Sequence, residues 1–147
     1  MLIFYINSFL SKIGKIYYIW ESLKNNKEAI LIFLANKENI FNEYIKKLKC
    51  NICNCTFKIK SYPFIEKTIN YYLEGKYKEL NISYKFLIGS NFEKKVWSTL
   101  AKIPYGKVVT YKNIAKDAGY PFAWRATGKA ICRNTMMLVI PCKRVIK

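Results

Sequence analysis

Short apolar runs separated by polar turns characterise the first third of the chain, and this pattern is typical of β-strands. Three runs rich in aromatic and β-branched residues are predicted strands: Leu2–Ile6, Lys15–Trp20 and Ala29–Ala35. The segments SKIG and KNNK lie between them, so we expect an antiparallel meander.

Helical spacing follows the meander. Apolar residues recur every three to four positions over Ile40–Leu48 and, after Pro63, over Phe64–Leu73. Tyr84–Ile88 is predicted as a last strand before the break at GSN. This half therefore reads as a small sheet covered by helices.

From Gly89 onward the pattern is mainly helical. A first helix carries Phe92 and Trp97 on one face, with Ser90 or Asn91 as its cap. A second begins after Thr110, and the turn Asp117–Pro121 separates it from a third helix over about Phe122–Cys132, with Cys132 in the core. Two short helices joined by a glycine turn predict a helix-turn-helix. The apolar run Met136–Pro141 predicts a buried strand that ends at Cys142.

These patterns predict an α/β protein of two domains. Residues 1–89 form the α/β domain, and residues 90–147 form a mainly helical domain that ends in a short strand.

Charge adds a partner to this picture. The chain has 26 Lys and Arg against nine Asp and Glu, a net charge of +17. Such a surplus favours nucleic acid first and an acidic membrane surface second, although a solvated lysine-rich surface also produces it. From Asn91 onward the sequence has 12 basic residues and only two acidic ones, so the positive charge is densest at the helix-turn-helix. A basic helix-turn-helix indicates DNA as the partner.

Location follows from what the sequence lacks. The longest apolar run, Ala29–Ala35, is much shorter than a membrane span, and the N-terminal residues make a poor signal peptide. Five cysteines, an odd number, favour reduced thiols. We expect a cytoplasmic protein, or a nuclear one in a eukaryote, without membrane association.

Cys142, in IPCKRVIK, is the candidate nucleophile. Lys143 and Arg144 beside it favour the thiolate electrostatically, whereas the alternative is a small inert apolar side chain at a strand end. The chain contains no histidine, which excludes every Cys-His hydrolase arrangement.

Three segments together resemble one family. FEKKVWSTLAKIPYGKVVTYKNIAKDAG, then RATGKAICRN, then IPCKRVI are similar to the C-terminal domain of O6-alkylguanine-DNA alkyltransferases. The resemblance implies a ribonuclease-H-like N-terminal α/β domain and a single-turnover methyltransferase. In that reaction the cysteine takes the alkyl group from O6-alkylguanine in double-stranded DNA, in an SN2 step that needs no cofactor or metal. It also implies a monomer.

Residue roles carry over by position. The resemblance makes Cys142 the alkyl acceptor, Tyr111 the residue that rotates the target nucleotide outward, and Arg125 the finger that fills its place in the stack. Asn134 would link the recognition helix to the active-site strand, and Arg144 would be structural. The remaining predicted DNA-binding residues are Thr110, Ala123, Trp124, Gly128 and Lys129.

Three departures from the family pattern stand out. The family's PCHR is PCKR here, so Lys143 occupies the position of a histidine that relays the thiol proton to a glutamate. A protonated lysine cannot accept that proton. The family's glycine-rich pocket loop and glutamate-bearing helix follow this motif, so the 147-residue chain is interpreted as truncated relative to the family. Trp124 stands where the family has a small residue in the minor groove.

Two other functions remain open from the sequence: a binder of alkylguanine lesions without repair, and a helix-turn-helix regulator in which Cys142 is inert. The cysteines of CNICNC, Cys50, Cys53 and Cys55, make an incomplete zinc set, and we expect loop or buried thiols there.

Overall fold

The computed structural model describes residues 1–23 and 28–146. The chain divides into two units, Met1–Ile88 and Gly89–Lys147. The predicted KNNK turn, residues 24–27, lies outside the described residues.

The first unit is built on a four-stranded sheet with two helices. Its elements are β1 Leu2–Ser11, β2 Gly14–Ser22, β3 Ala29–Ala35, α1 Glu38–Asn51, β4 Cys55–Ile59 and α2 Pro63–Leu73. The strand order is β3-β2-β1-β4. β1, β2 and β3 pair antiparallel, so the predicted meander is confirmed, and β4 lies parallel to β1.

The sheet buries both of its faces because successive side chains on β2 point in opposite directions. On one face Ile19 joins the core formed with α1, and Tyr17 packs on Phe41 with ring centroids 5.3 Å apart. On the other face Trp20 stacks on Tyr62, the N-cap of α2, at 5.0 Å. This two-sided burial explains why β2 and β3 read as nearly continuous apolar runs.

Two elements of this unit differ from the sequence prediction. β4 was not predicted, because Cys55–Ile59 is a short edge strand whose last two residues are exposed and one of them is charged. The predicted strand Tyr84–Ile88 is wrong, since only Tyr84 forms a bridge, to Leu31. Two backbone hydrogen bonds, from Leu31 N to Ser83 O at 2.9 Å and from Lys85 N to Leu31 O at 3.1 Å, make that contact.

A buried tyrosine connects the sheet to α2. The hydroxyl of Tyr18, on β2, donates to the Glu66 carboxylate and accepts a hydrogen bond from the Tyr62 amide at 2.8 Å. Burial, reinforced by the bond to Glu66, raises the pKa of Tyr18 well above its usual value of 10.0. The folded unit therefore holds the phenolic proton more tightly than the unfolded chain does.

We predict that Tyr18→Phe lowers the free energy of unfolding by about 1–3 kcal/mol at neutral pH, because Glu66 and the Tyr62 amide lose their partner. In the parent, the contribution of Tyr18 is complete below about pH 10 and is lost as the pH rises further, because unfolded tyrosine ionises first. Urea unfolding at neutral pH and above pH 10 measures both effects. The variant should lose less stability in alkali than the parent.

Tyr77→Phe, at a side chain that is 45% exposed, is the control. Identical alkaline losses in Tyr18→Phe and the parent would contradict the prediction.

The second unit is mainly helical. Its elements are α3 Asn91–Leu100, β5 Val109–Thr110, α4 Tyr111–Asp117, α5 Trp124–Cys132, a 3₁₀ turn Cys142–Arg144 and β6 Val145–Ile146. Of the two predicted caps, Ser90 and Asn91, Ser90 caps α3, and it does so in a reciprocal capping box with Glu93. The protein is thus mixed α/β, and none of the helices within residues 1–23 and 28–146 is both long and apolar enough to traverse a bilayer.

The buried face of α3 fixes the position of α5. Trp97 is 1% exposed, and its indole Nε1 donates to the Ala130 carbonyl on α5 at 2.7 Å. Gly89 makes room for the indole ring: a Cβ at this position would lie 2.6 Å from Trp97 Cζ3, and the backbone φ of +134° also favours glycine.

Candidate functional site

α4 and α5 form the predicted helix-turn-helix. Thr110 caps α4 by accepting a hydrogen bond from Asn113 N at 3.1 Å, and Asn113 Oδ1 accepts from Thr110 N in return. The chain leaves α4 through Gly119, whose φ of +92° suits a residue without a Cβ. The amide of Tyr120 then bonds back to Ala115 O at 2.8 Å, which closes the turn between the helices.

A groove of about 700 Å³ lies between the start of α4 and the exposed face of α5. We call it the helical groove, and its lining residues are Thr110, Tyr111, Lys112, Trp124, Arg125, Gly128 and Lys129. Six of these seven were predicted from the sequence as DNA-binding residues. Lys112 was not singled out, because on sequence alone it is one of many lysines. The predicted Ala123 does not line the groove and lies at the N-cap of α5.

Gly128 and Tyr111 set the width of the groove. A Cβ at position 128 would lie 3.4 Å from Tyr111 Cε2, so the phenol ring rests against the α5 backbone at its one glycine. Tyr111 itself is half-buried, at the first position of α4. The helices therefore approach closely enough to hold the ring in a fixed place.

Cations surround the Trp124 indole in the groove. Arg125 Cζ lies 5.1 Å and Lys112 Nζ 5.7 Å from the ring centroid, both within cation–π range. The indole is 39% exposed. The surface of this groove is therefore aromatic and positively charged.

Asn134 holds the segment that precedes the candidate nucleophile. Its side-chain Nδ2 donates to the Ile140 carbonyl at 2.9 Å and to the Met136 carbonyl at 3.4 Å. Its Oδ1 accepts from the Met136 amide at 2.9 Å. One amide side chain therefore joins the end of α5 to the residue two positions before Cys142.

The predicted buried strand Met136–Pro141 is wrong. The segment folds into a turn in which Leu138 has a φ of +69°, and Ile140 N bonds back to Met136 O at 3.0 Å. Only Met136 and Ile140 of the run are fully buried. Bonds within the segment and to the Asn134 side chain pair the Met136 and Ile140 backbone groups, so the segment turns locally instead of extending as a strand.

Cys142 begins the 3₁₀ turn Cys142–Arg144, which we call the Cys142 turn, rather than ending a strand. Its thiol is half-buried, and its amide bonds to Ile140 O at 2.8 Å. Lys143 is exposed, and Arg144 Nη1 donates to the Ile103 carbonyl at 2.7 Å. The Arg144 guanidinium thus anchors the turn to the loop after α3.

A two-residue parallel pairing connects the Cys142 turn to the groove. Val145 and Ile146 on β6 pair with Val109 and Thr110 on β5. Thr110 is the N-cap of α4 and precedes Tyr111 directly, so the chain after the thiol is bound to the chain before the tyrosine. Sequence spacing contains no signal for this pairing, since the paired residues are 36 positions apart (145 − 109).

The other cysteines are dispersed. Cys50 and Cys53 are exposed and Cys55 is half-buried, and no three potential ligand side chains in the described part of the chain are grouped to hold a metal. Cys132, expected in the core, is exposed. The buried stripe of α5 is Thr127, Ala130 and Ile131, and the last residue of the helix falls off it.

Comparison with known proteins assigns these features to a family. Residues 91–147 match the 6-O-methylguanine DNA methyltransferase, DNA binding domain. Residues 91–147 therefore belong to this domain family, and curated relatives that match the chain are named methylated-DNA–protein-cysteine methyltransferases.

Individual relatives agree with the family match. The chain is 42% identical over 78 residues to the inducible methylated-DNA–protein-cysteine methyltransferase of Bacillus subtilis, covering 53% of this chain. It is 32% identical over 135 residues to the Candida glabrata methyltransferase, covering 87% of this chain. The chain spans 43% of the length of the first relative and 63% of the second, less than two thirds of either.

A solved structure extends the likeness to both units. The Mycobacterium tuberculosis O6-methylguanine methyltransferase matches with a TM-score of 0.75 at 25% identity, over 99% of this chain and 79% of that one. The M. tuberculosis protein has also been solved in complex with DNA, and that structure matches with a TM-score of 0.71 at 25% identity, over 99% of this chain and 78% of that one. The α/β fold class predicted from the sequence is confirmed.

We predict that Asn134→Ala lowers the free energy of unfolding by about 1–3 kcal/mol, since the carbonyl of buried Ile140 and the amide of buried Met136 lose their partner. The Cys142 thiol should also react faster with iodoacetamide, because the preceding turn loosens. Urea unfolding and mass spectrometry of the Cys142 peptide measure the two effects. Asn91→Ala, at an exposed residue of α3, is the matched control. Parent-like stability together with a parent-like Cys142 rate would show that the amide does not hold the turn.

Proposed function

We propose that this chain repairs O6-alkylguanine in double-stranded DNA by moving the alkyl group to Cys142. The thiolate Sγ forms a bond to the alkyl carbon while the bond from that carbon to guanine O6 breaks. The electron pair returns to the base, which takes up a proton as guanine. The product is a stable thioether, so each chain reacts once, and a monomer suffices.

The observation that carries this proposal is the fixed position of the Cys142 turn. Asn134 holds its entry, Arg144 holds it to Ile103, and β6 ties its exit to β5. An SN2 displacement needs sulfur, carbon and leaving oxygen in line, so a rigid nucleophile lowers the entropic part of the barrier. An inert cysteine would need no such support from three separate elements.

DNA binding is proposed from the helical groove beside this turn. Lys112, Arg125 and Lys129 supply positive charge, and Thr110 and Ala123 lie at the starts of α4 and α5. As in the family that the sequence resembles, α5 is proposed to approach the minor groove of the DNA, with Gly128 allowing close contact. The M. tuberculosis relative in complex with DNA supports DNA as the partner. Binding should weaken as salt rises, because phosphate contacts release counterions.

Tyr111 and Arg125 are proposed to expose the target base. The Tyr111 ring, rigid against Gly128, would press on the backbone of the damaged nucleotide and rotate it out of the duplex. Arg125, exposed on α5, would enter the space that the base leaves. Rotation is needed because the O6 atom of a stacked base is out of reach of a thiol in a half-buried turn.

Lys143 is proposed to act by charge alone. It is exposed beside Cys142, where its ammonium group stabilises a thiolate but accepts no proton. The thiol proton therefore passes to solvent in this chain. Arg144 and Asn134 are positioning residues in the proposal, since neither would touch the alkyl group.

Incubation of the 147-residue chain with duplex DNA containing O6-methylguanine tests the function. Intact mass spectrometry should show one added methyl group, and peptide mapping should place it on Cys142. Cys142→Ser should still bind the duplex and gain no mass, whereas Cys132→Ser, at an exposed thiol on α5, is the control and should gain the methyl.

Two other results would replace the proposal. Selective binding of the lesion without any mass gain would make the chain a lesion binder. Equal binding of damaged and undamaged duplex, again without mass gain, would leave the helix-turn-helix regulator.

We predict that Tyr111→Ala slows methyl transfer by about tenfold or more, because base rotation costs a few kcal/mol and loses its driving contact. Tyr111→Phe keeps the ring against Gly128 and should retain most of the rate. Single-turnover transfer to O6-methylguanine in a duplex measures both. The same variants on free O6-methylguanine base provide the control, since no rotation is needed there. Transfer from duplex DNA by Tyr111→Ala at the parent rate would exclude this role.

A further inference from the structure

Two aromatic side chains at the start of α5 are exposed, and one of them, Phe122, has no role in the site described above. Phe122 is 94% exposed and Trp124 is 39% exposed. Tyr120, two residues earlier, instead contacts the Phe92 ring edge-to-face at 4.9 Å. We call Phe122 and Trp124 the aromatic edge.

The backbone holds Phe122 at the tip of a tight turn. Ala123 N bonds to Tyr120 O at 3.0 Å, which places Pro121 and Phe122 at the two central positions of the turn. Pro121 fixes its own φ, and the next bond, from Thr127 N to Ala123 O at 2.9 Å, starts the helix. The phenyl ring is therefore presented outward by a rigid segment that cannot rearrange cheaply to bury it.

The charge around the edge selects a polyanion as its occupant. Four exposed cations lie on α4 and α5: Lys112, Lys116, Arg125 and Lys129. The single acidic residue of these two helices is Asp117. Arg125 and Lys112 lie on the Trp124 ring itself. An apolar protein partner would have to desolvate these cations, whereas DNA offers phosphates for the cations and flat bases for the rings.

We propose that the aromatic edge contacts the bases of docked DNA, with Phe122 wedging at a base step and Trp124 stacking on an unstacked base. Side chains of this kind open base steps and bend the duplex towards the major groove. The contact adds a part of the binding free energy that does not depend on counterion release. This proposal rests on the proposed docking of α5 to DNA, and the contact is additional to that of the Arg125 finger.

Salt-dependent binding separates the two kinds of contact. Fluorescence anisotropy with an undamaged labelled duplex, over about 50 to 300 mM salt, gives Kd and the slope of log Kd against log salt. Phe122→Ala should raise Kd at least about fivefold at every salt concentration and leave the slope unchanged. Lys129→Ala should instead reduce the slope by about one. Leu10→Ala, at an 80% exposed apolar residue of β1, is the matched control and should bind as the parent does. Phe122→Tyr keeps a ring and should recover most of the affinity.

Trp124 provides an independent measurement. Of the three tryptophans, Trp20 and Trp97 are 4% and 1% exposed, so the emission that acrylamide quenches comes from Trp124. Saturating duplex should protect that emission, and Trp124→Phe should remove the quenchable fraction. Unchanged quenching at saturation would overturn the stacking contact.

The outcomes also distinguish this inference from the function on which it rests. If the parent binds duplex and gains a methyl on Cys142 while Phe122→Ala binds equally well at all salt concentrations, the wedge is overturned and the repair function stands. A deficit in Phe122→Ala that vanishes at high salt would likewise overturn it, because the lost contact would then be electrostatic. A parent that neither binds duplex nor gains mass overturns both.

Discussion

The side-chain amide of Asn134 is the interaction on which the candidate site depends. It links the end of α5 to the Met136–Ile140 segment by hydrogen bonds. Its Nδ2 donates to the Ile140 carbonyl, and its Oδ1 accepts from the Met136 amide. Backbone that turns through a left-handed residue such as Leu138 is not held by a regular ladder. The position of the segment that leads to Cys142 therefore depends on the position of α5, while Arg144 and β6 hold the turn itself.

The position of α5 is in turn set from the interior. The Trp97 indole bonds to the Ala130 carbonyl in the middle of α5, and Thr127, Ala130 and Ile131 turn inward. The opposite face of the same helix presents Arg125, Gly128 and Lys129 to the helical groove. The surface proposed to meet DNA is thus a face of α5, and the turn that carries the nucleophile is attached to the end of the same helix. This arrangement suits a reaction that requires alignment of a base with a sulfur atom.

Sequence patterns predicted the locally encoded elements best. α3 was predicted with Ser90 or Asn91 as its cap and α4 with Thr110, because a capping residue lies next to the helix that it caps. Six of the seven residues that line the groove were also predicted, but through motif resemblance rather than through spacing. The Cys142 turn was not, because an apolar run of six residues looks the same in a strand and in a turn. What distinguishes the two is a hydrogen bond from Asn134 to Ile140, six residues away, and a pairing of β6 with β5 across the whole helix-turn-helix. Interactions of that range leave no periodic trace in the sequence.

The parallel pairing of β4 with β1 has a consequence for the order in which the first unit assembles. β1, β2 and β3 join neighbours in sequence, so their pairing closes short loops, whereas Leu2 and Cys55 close a loop of more than fifty residues. Long closures cost more entropy and are reached later in folding. During synthesis the meander is complete before β4 has been made. Until then, the backbone groups on the outer edge of β1 have no strand to pair with. The β1 edge is thus open to wrong pairing in the nascent chain until β4 emerges, and the outer edge of β3 stays open longer, until residues 83–85 bond to Leu31.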